Sequence, residues 1–134
     1  EDDRNICPDG WHVSTNDEWA DMLVYIGIDE DEVWSYGYVG TDEGGMLKSI
    51  DGWNAPNTGA SNSTGFSAIS AGSFSYCGMY PPTYCESNKG YLGQFWTYSE
   101  GDLAWYRGLD WNRSDVQHQY KDKWAGKSVR CIQD

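Results

Sequence analysis

Near the start of the chain the hydrophobic pattern takes a helical period. Trp19, Met22, Leu23 and Ile26 recur at three- and four-residue spacing, which lines them up as one apolar stripe. Thr15-Asn16-Asp17-Glu18 stands just ahead of them and reads as a capping box: Thr15 accepts from the third backbone N–H while Glu18 reaches back. Gly27 suits the left-handed C-terminal cap, so the spacing predicts a helix over residues 16–26. One more helical turn is expected from Glu43 to Lys48. From Gly37 to Ser75 the chain is punctuated by Gly, Asn, Ser and Thr, leaving few segments long enough for a regular element. Ordered loops of that length rest on a fixed scaffold and often carry function.

In the C-terminal third the period shortens. Gln94 to Tyr98, Leu103 to Leu109, Val116 to Tyr120 and Lys127 to Ile132 read as strands. Ala104-Trp105-Tyr106-Arg107 and Ser128-Val129-Arg130-Cys131 show the alternation of half-buried strands. Asn112-Arg113-Ser114-Asp115 is a turn signal.

Composition changes the picture in two ways. Eight Trp and ten Tyr stand against three Phe, a bias toward rings with a polar tip that suit half-wet surfaces as well as cores. The net charge of −12 repels phosphate backbones and anionic lipid, which argues against nucleic-acid and membrane-surface partners. No stretch approaches the ~20 apolar residues of a membrane span. At 134 residues the chain fits one domain spanning 1–134. It opens at Glu1 without Met, which leads us to expect a piece excised from a longer protein.

The four cysteines, Cys7, Cys77, Cys85 and Cys131, allow three pairings. The simplest joins near with near (Cys77 with Cys85, across CGMYPPTYC) and end with end (Cys7 with Cys131). Loop entropy gives roughly 2.5 kcal/mol for the first and roughly 5 for the second, before strain. No spacing is CxxC, which argues against zinc and redox motifs. Two disulfides imply cell surface, periplasm or medium; four buried thiols in a cytosolic protein are the alternative.

The segment LDWNRSDVQHQYKDKW, residues 109–124, sets large rings among charges of both signs. Tyr and Trp give contact area with few rotatable bonds, and Ser, Asn, Gly and Asp give adaptable hydrogen bonds, as in antibody-like contact surfaces. Trp111, Trp124 and Tyr98 are candidate anchors, and Asp110, Arg113, Asp115, Gln117, His118, Gln119 and Lys123 their polar surround. The competing reading packs Trp111 and Trp124 in the core with solvated polar neighbours. Trp105, Trp11, Trp19 and Trp96 are assigned to the core. His12 reads as structural, and His118 lacks a His or Cys at ligand spacing, which argues against zinc.

Several blocks occur in a recognisable order. Cys7-Pro8-Asp9-Gly10-Trp11-His12-Val13 with Thr15 and Glu18-Trp19 is the first. Gly45-Met46-Leu47-Lys48, Trp53-Asn54, Pro56-Asn57-Thr58-Gly59-Ala60 and Ser63-Thr64-Gly65-Phe66-Ser67-Ala68 follow. Phe95-Trp96-Thr97 with Ser99-Glu100, Ala104-Trp105-Tyr106-Arg107 and Ser128-Val129-Arg130-Cys131 complete the set. Over nearly its whole length the chain resembles the Fibrobacter succinogenes major paralogous domain, which is similar to C-type-lectin-like domains of the formylglycine-generating-enzyme type. The resemblance implies an α+β, C-type-lectin-like fold, loop-rich, with one clear N-terminal helix and small antiparallel sheets. It also implies termini that meet, which suits a Cys7–Cys131 bridge, and an extracytoplasmic bacterial surface protein. The Cys77-to-Cys85 loop departs from the pattern as a local insertion. By a further resemblance, variable proteins diversified by retroelements carry their changeable residues where residues 98–124 lie here.

Trp53-Asn54 and Trp111-Asn112 echo part of a lectin sugar motif, but neither is followed by Asp and no Glu-Pro-Asn accompanies them, which argues against chelation of sugar through calcium. A structural calcium held by Asp, Glu and carbonyl oxygens stays open as the one cofactor considered. Cys131 has no second cysteine in the arrangement of the formylglycine-generating relatives, and Gly-x-Ser-x-Gly is absent. The expectation is a non-catalytic, adhesin-like module that binds a protein or glycan through residues 98–124; a structural or assembly domain of a surface appendage such as a pilus is the first alternative and an enzyme the second.

Overall fold

A computed structural model describes residues 6–79, 82–98 and 103–134. The described elements are, in order, β1 (Trp11–Val13), α1 (Asn16–Ile26), β2 (Gly37–Val39), α2 (Glu43–Leu47), β3 (Ser73–Met79) and β4 (Pro82–Ser87). Then come β5 (Leu92–Trp96), β6 (Leu103–Asp110), β7 (Val116–Asp122), β8 (Ser128–Val129) and β9 (Cys131–Gln133). They make a mixed α/β arrangement of two helices and three small sheets, with strands predominating.

Helix α1 forms where its caps are. Thr15 Oγ1 accepts from the Glu18 amide at 3.2 Å, and Glu18 Oε2 accepts from the Thr15 amide at 2.8 Å. Asp17 and Glu18 lie in the first turn, where carboxylates favour the positive end of the helix dipole. Gly27 ends the helix at φ 133°, and its N–H returns to the carbonyls of Leu23 and Val24. The buried face of α1, Trp19, Ala20 and Leu23, joins Phe95, Leu109 and Val116 in the core. Trp19, Phe66 and Phe95 pack ring to ring with centroids 5.4–5.7 Å apart. Leu23 is fully buried, so Leu23→Ala would cost about 2–5 kcal/mol.

The main sheet has the order β2-β7-β6-β5-β8. Its pairs are antiparallel, except that β8 runs parallel to β5. Register sets Phe95, Arg107 and His118 side by side on one face, and Gln94, Gly108 and Gln117 on the other. The first face meets α1 and the core. The second carries the site described below.

Two expectations need correcting, and a third holds. Residues Lys127 to Ile132 are not one strand: Ser128 and Val129 pair with β5, while Cys131 to Gln133 pair with β1 in a separate sheet. The stretch from Gly37 to Ser75 holds few regular elements, as expected: besides α2 they are β2, held by β7 some eighty residues later, and the start of β3 at Ser73. Cys77 to Met79 and Pro82 to Cys85 are not loop: they belong to two arms of an antiparallel ladder, β3 with β4, with a register shift between Tyr76 and Gly78.

The chain ends close on each other. Strand β1 pairs antiparallel with β9, Val13 opposite Cys131, and Cys7 is bonded to Cys131 with Cα atoms 5.8 Å apart. His12 clasps the junction, its Nδ1 2.6 Å from Asp134 Oδ1 and its Nε2 2.8 Å from Glu18 Oε1. These carboxylates, Asp134 foremost, raise its pKa. Cys85 is also disulfide-bonded; the side chain of Cys77, its expected partner, lies outside the described residues. There is no free cysteine among the described residues, as befits an oxidising compartment. No described helix is long and apolar enough to cross a membrane.

Candidate functional site

The expected recognition segment turns back on itself. Strand β6 carries the chain one way and β7 returns it, so residues 110–117 sit at one end of the sheet and Tyr98, Lys123 and Trp124 at the other. From the Gly108–Gln117 pair to the Leu103–Asp122 pair is five strand steps, or roughly 17 Å at about 3.3 Å each. Tyr98 and Trp124 do face outward, 60% and 74% exposed, and Lys123 is exposed beside them. They share no surface with Trp111, however. Residues 99–102 of the segment lie outside the described residues.

At the other end, Asp110, Trp111, Arg113, Asp115 and Gln117 come together with partners from far away in sequence. Tyr38 of β2 donates its hydroxyl to Asp110 Oδ2 at 2.5 Å. Arg113 forks onto Asp115, Nε to Oδ1 at 2.8 Å and Nη2 to Oδ2 at 2.5 Å, and lays its guanidinium over the Tyr38 ring at 3.9 Å. Trp111 is half-buried and meets Tyr91 edge to face, centroids 5.4 Å apart. Between these groups opens a cleft of about 360 Å³, with Tyr38, Tyr91 and Trp111 in its walls and Gln94, Asp110 and Gln117 among its lining. That volume lies within the ~300–1,000 Å³ of small-molecule sites. A second recess of about 430 Å³ adjoins Arg113, Asp115 and Thr41.

The floor of the cleft is a chain of polar contacts across the outer sheet face. Lys127 Nζ donates to Gln94 Oε1 at 2.5 Å, and Gln94 Nε2 to Gln117 Oε1 at 3.3 Å. Gln117 Nε2 stands 3.4 Å from the Tyr38 hydroxyl, which donates to Asp110. Gly108 makes this possible, because a Cβ there would lie 2.8 Å from Gln117 Oε1 and 3.5 Å from Gln94 Cγ. Gln119, two residues further along β7, accepts from Tyr106. Lys127 also lies over the Tyr106 and Trp96 rings at 4.0 and 5.2 Å, and burial pulls its pKa down to about 8. Burial, followed by the hydrogen bond to Asp110, pushes the Tyr38 phenol up.

Lys48 anchors the cleft from beneath. It is fully buried, and Nζ donates to the carbonyls of Thr58, Asp110 and Arg113 at 2.8, 3.0 and 2.8 Å. An ammonium has three N–H donors, and each has an acceptor. Burial lowers the Lys48 pKa to about 8, while Asp110 and Asp115 pull it upward. Helix α2 presses the same loops together through its paired glycines. A Cβ on Gly44 would stand 2.2 Å from the Asp115 carbonyl oxygen, and one on Gly45 2.3 Å from that of Gly59. Gly45 N–H donates to Ser114 O, and Thr58 N–H to Trp111 O.

His118 is not part of an outward face. It is 2% exposed and stacks on Trp105 with centroids 4.5 Å apart. Its Nδ1 is 3.1 Å from Ser35 O and its Nε2 3.3 Å from Asn16 Nδ2. These partners fit a neutral ring carrying its proton on Nδ1. Burial first, then the neighbouring Arg107 guanidinium, lowers its pKa to about 4. Arg107 itself is buried and gives Nη1 to Val33 O at 2.9 Å. Of the tryptophans assigned to the core, only Trp19 is buried; Trp11 is 39% exposed, and Trp96 and Trp105 are partly exposed. Trp11 lies on a two-stranded sheet with too little cover to enclose an indole. Residues 29–32 cap backbone locally, Asp29 Oδ1 accepting from Asp31 N–H and Glu32 Oε1 from Gly40 N–H. Among the described residues no group of three or more His, Cys, Asp or Glu gathers into a cation site.

Sequence reasoning missed Tyr38, Tyr91 and Lys48. Lys89-Gly90 before Tyr91 is a turn signal, but nothing local tells that a lysine following Gly45-Met46-Leu47 lies inside.

The molecule is therefore a mixed α/β domain with its ends clamped together and an aromatic, polar cleft at one end of its main sheet. The chain belongs to the Fibrobacter succinogenes major domain family, whose model matches residues 1–133. Neither a curated protein nor a solved structure matches the chain.

Proposed function

We propose that this domain is a non-catalytic, adhesin-like ligand-binding module of a bacterial surface protein, C-type-lectin-like in fold, and that it engages a protein or glycan at the Trp111 cleft. The observation that carries this reading is the cleft's construction. Tyr91, Trp111 and Tyr38 supply large rings, Asp110 and Gln117 supply hydrogen-bonding groups, and Lys48 fixes the loop that presents them. A site held in place before binding has less ordering entropy to lose on association. Paired, disulfide-linked ends support both the lectin-like fold and an extracytoplasmic location. The relation to retroelement-diversified proteins belongs to the same reading, and substitutions among sibling copies should then cluster on cleft positions such as Trp111, Arg113 and Gln117.

The test is a cell-binding measurement. Fluorescently labelled domain should stain intact bacterial or host cells saturably. Trp111→Ala combined with Tyr91→Ala should remove the staining, while Trp124→Ala, at the far end of the sheet, should not. Equal staining by all three proteins would overturn the assignment of the cleft.

A further inference from the structure

The lining of the cleft narrows the ligand further. Four carboxamides, those of Asn88, Gln94, Asn112 and Gln117, surround the Asp110 carboxylate. A carboxamide both donates and accepts, and a carboxylate accepts at about four lone-pair positions, of which the Tyr38 hydroxyl takes one. Alcohols likewise donate and accept. Two of these groups are firmly seated: Gln94 is 6% exposed and Asp110 8%. Gly108 leaves the room in which Gln94 and Gln117 meet.

Charge removes other ligand classes. No lysine or arginine is among the lining residues, and the nearest guanidinium, Arg113, is engaged by Asp115 and the Tyr38 ring. A phosphate, sulfate or carboxylate would face Asp110 with no cation in the lining to bond it, because the Lys127 ammonium is taken up by Gln94 and the Tyr106 ring and that of Lys48 by three backbone carbonyls. A cationic ligand is disfavoured from below, because the Lys48 ammonium, bonded to the backbone carbonyl of Asp110, already offsets that carboxylate. The walls are aromatic, with Tyr91 44% exposed and set edge to face with Trp111, and they offer apolar surface next to the polar floor. A pyranose has this division, hydroxyls around its rim and C–H groups across its face.

We propose that the cleft binds a neutral saccharide unit directly, without calcium, its hydroxyls on Asp110 and the carboxamides and its C–H face against Trp111 and Tyr91. The proposal rests on the reading of the domain as a binding module and specifies its ligand class. The probe is an array of neutral, N-acetylated, sialylated and sulfated oligosaccharides, read in excess EDTA, followed by calorimetric titration of the methyl glycoside of the best neutral hit. Trp111→Ala and Gln117→Ala should each weaken binding by about tenfold or more, while Trp124→Ala stays within about twofold. Thermal melts of each variant verify folding, and shifts of the Trp111 indole and Gln117 amide resonances in the parent protein locate the sugar independently of any substitution. Binding confined to anionic glycans, loss of binding in EDTA, or variants equal to the parent would overturn the proposal. A random-peptide phage library run in parallel separates the two readings. Trp111-dependent peptide binding with no neutral-glycan hit sinks the saccharide and leaves the module; no Trp111-dependent binding in either arm sinks both.

Discussion

Replacing Lys48 by Met keeps the length of the side chain and removes its ammonium. Lys48 is fully buried and bonds three backbone carbonyls from two separate loops. Each hydrogen bond to a charged group contributes about 1.5–3 kcal/mol net, so three would sum to at least ~5. Against this stands the desolvation of a buried ammonium, several kcal/mol, which the substitution relieves. The Asp110 carbonyl keeps the Arg113 N–H at 3.4 Å, while those of Thr58 and Arg113 lose the ammonium and cost about 1–3 kcal/mol each where water cannot reach them. The balance is a loss of about 3–5 kcal/mol, the range for breaking one side of a buried charged set. For a domain of this size each kcal/mol moves the melting temperature by roughly 3–5 °C, so the melt should fall by about 10–20 °C. Urea unfolding gives the free energy, and the Trp111 indole resonance reports the loop. Lys48→Gln, which keeps a donor, should fall between parent and Met. A loss under about 1 kcal/mol in Lys48→Met, with the Trp111 resonance unmoved, would refute the role given to this lysine.

Acid should expose His118. Its folded pKa of about 4 lies below the ordinary 6.5, so in that window the unfolded chain binds a proton that the native ring does not, and stability falls as pH drops from about 6.5 to about 4. His12 acts in the opposite sense: its pKa is raised by Asp134 and Glu18, so its contribution is complete below 6.5 and is lost as pH rises through the folded value. In a His12→Asn background, His118→Asn should flatten the stability profile between pH 4 and 6.5 relative to its parent, and an unchanged slope would count against the burial argument. Gly45→Ala should destabilise by about 1–3 kcal/mol through overpacking, since its Cβ would meet Gly59 backbone rather than a side chain that can swing away; a neutral result in urea would be the contrary finding. Removing both Cys7 and Cys131, 124 residues apart, should cost up to about 5 kcal/mol by loop entropy, checked by comparing the Ser–Ser variant with the oxidised parent.

Local chemistry was legible wherever the deciding groups are neighbours. Thr15, Glu18 and Gly27 specify the ends of α1 on their own, and α2 ends one residue before the expected turn does. The alternation around Trp105 gave β6 because both faces of that strand are distinguishable. Strand β2 was not legible, for its three residues exist as a strand only through β7. Nor was the division at Arg130, where one run of alternating residues serves two sheets in turn. At the site, Asp110, Trp111, Arg113 and Gln117 could be picked by residue type. That Trp124 lies a strand's length away, that His118 turns inward, and that Tyr38 and Tyr91 complete the walls all depend on pairings between distant segments. Composition alone cannot say which side of a strand a residue takes once the register is unknown.

The bond between Cys7 and Cys131 has a mechanical meaning. Among the described residues, nearly every hydrogen bond lies inside the covalent ring it closes. A tug on the two ends of the chain is borne by the sulfur bridge, and the ladder beneath Trp111 stays unloaded. A domain wired this way keeps its shape under a pull that would unzip an unbridged sheet.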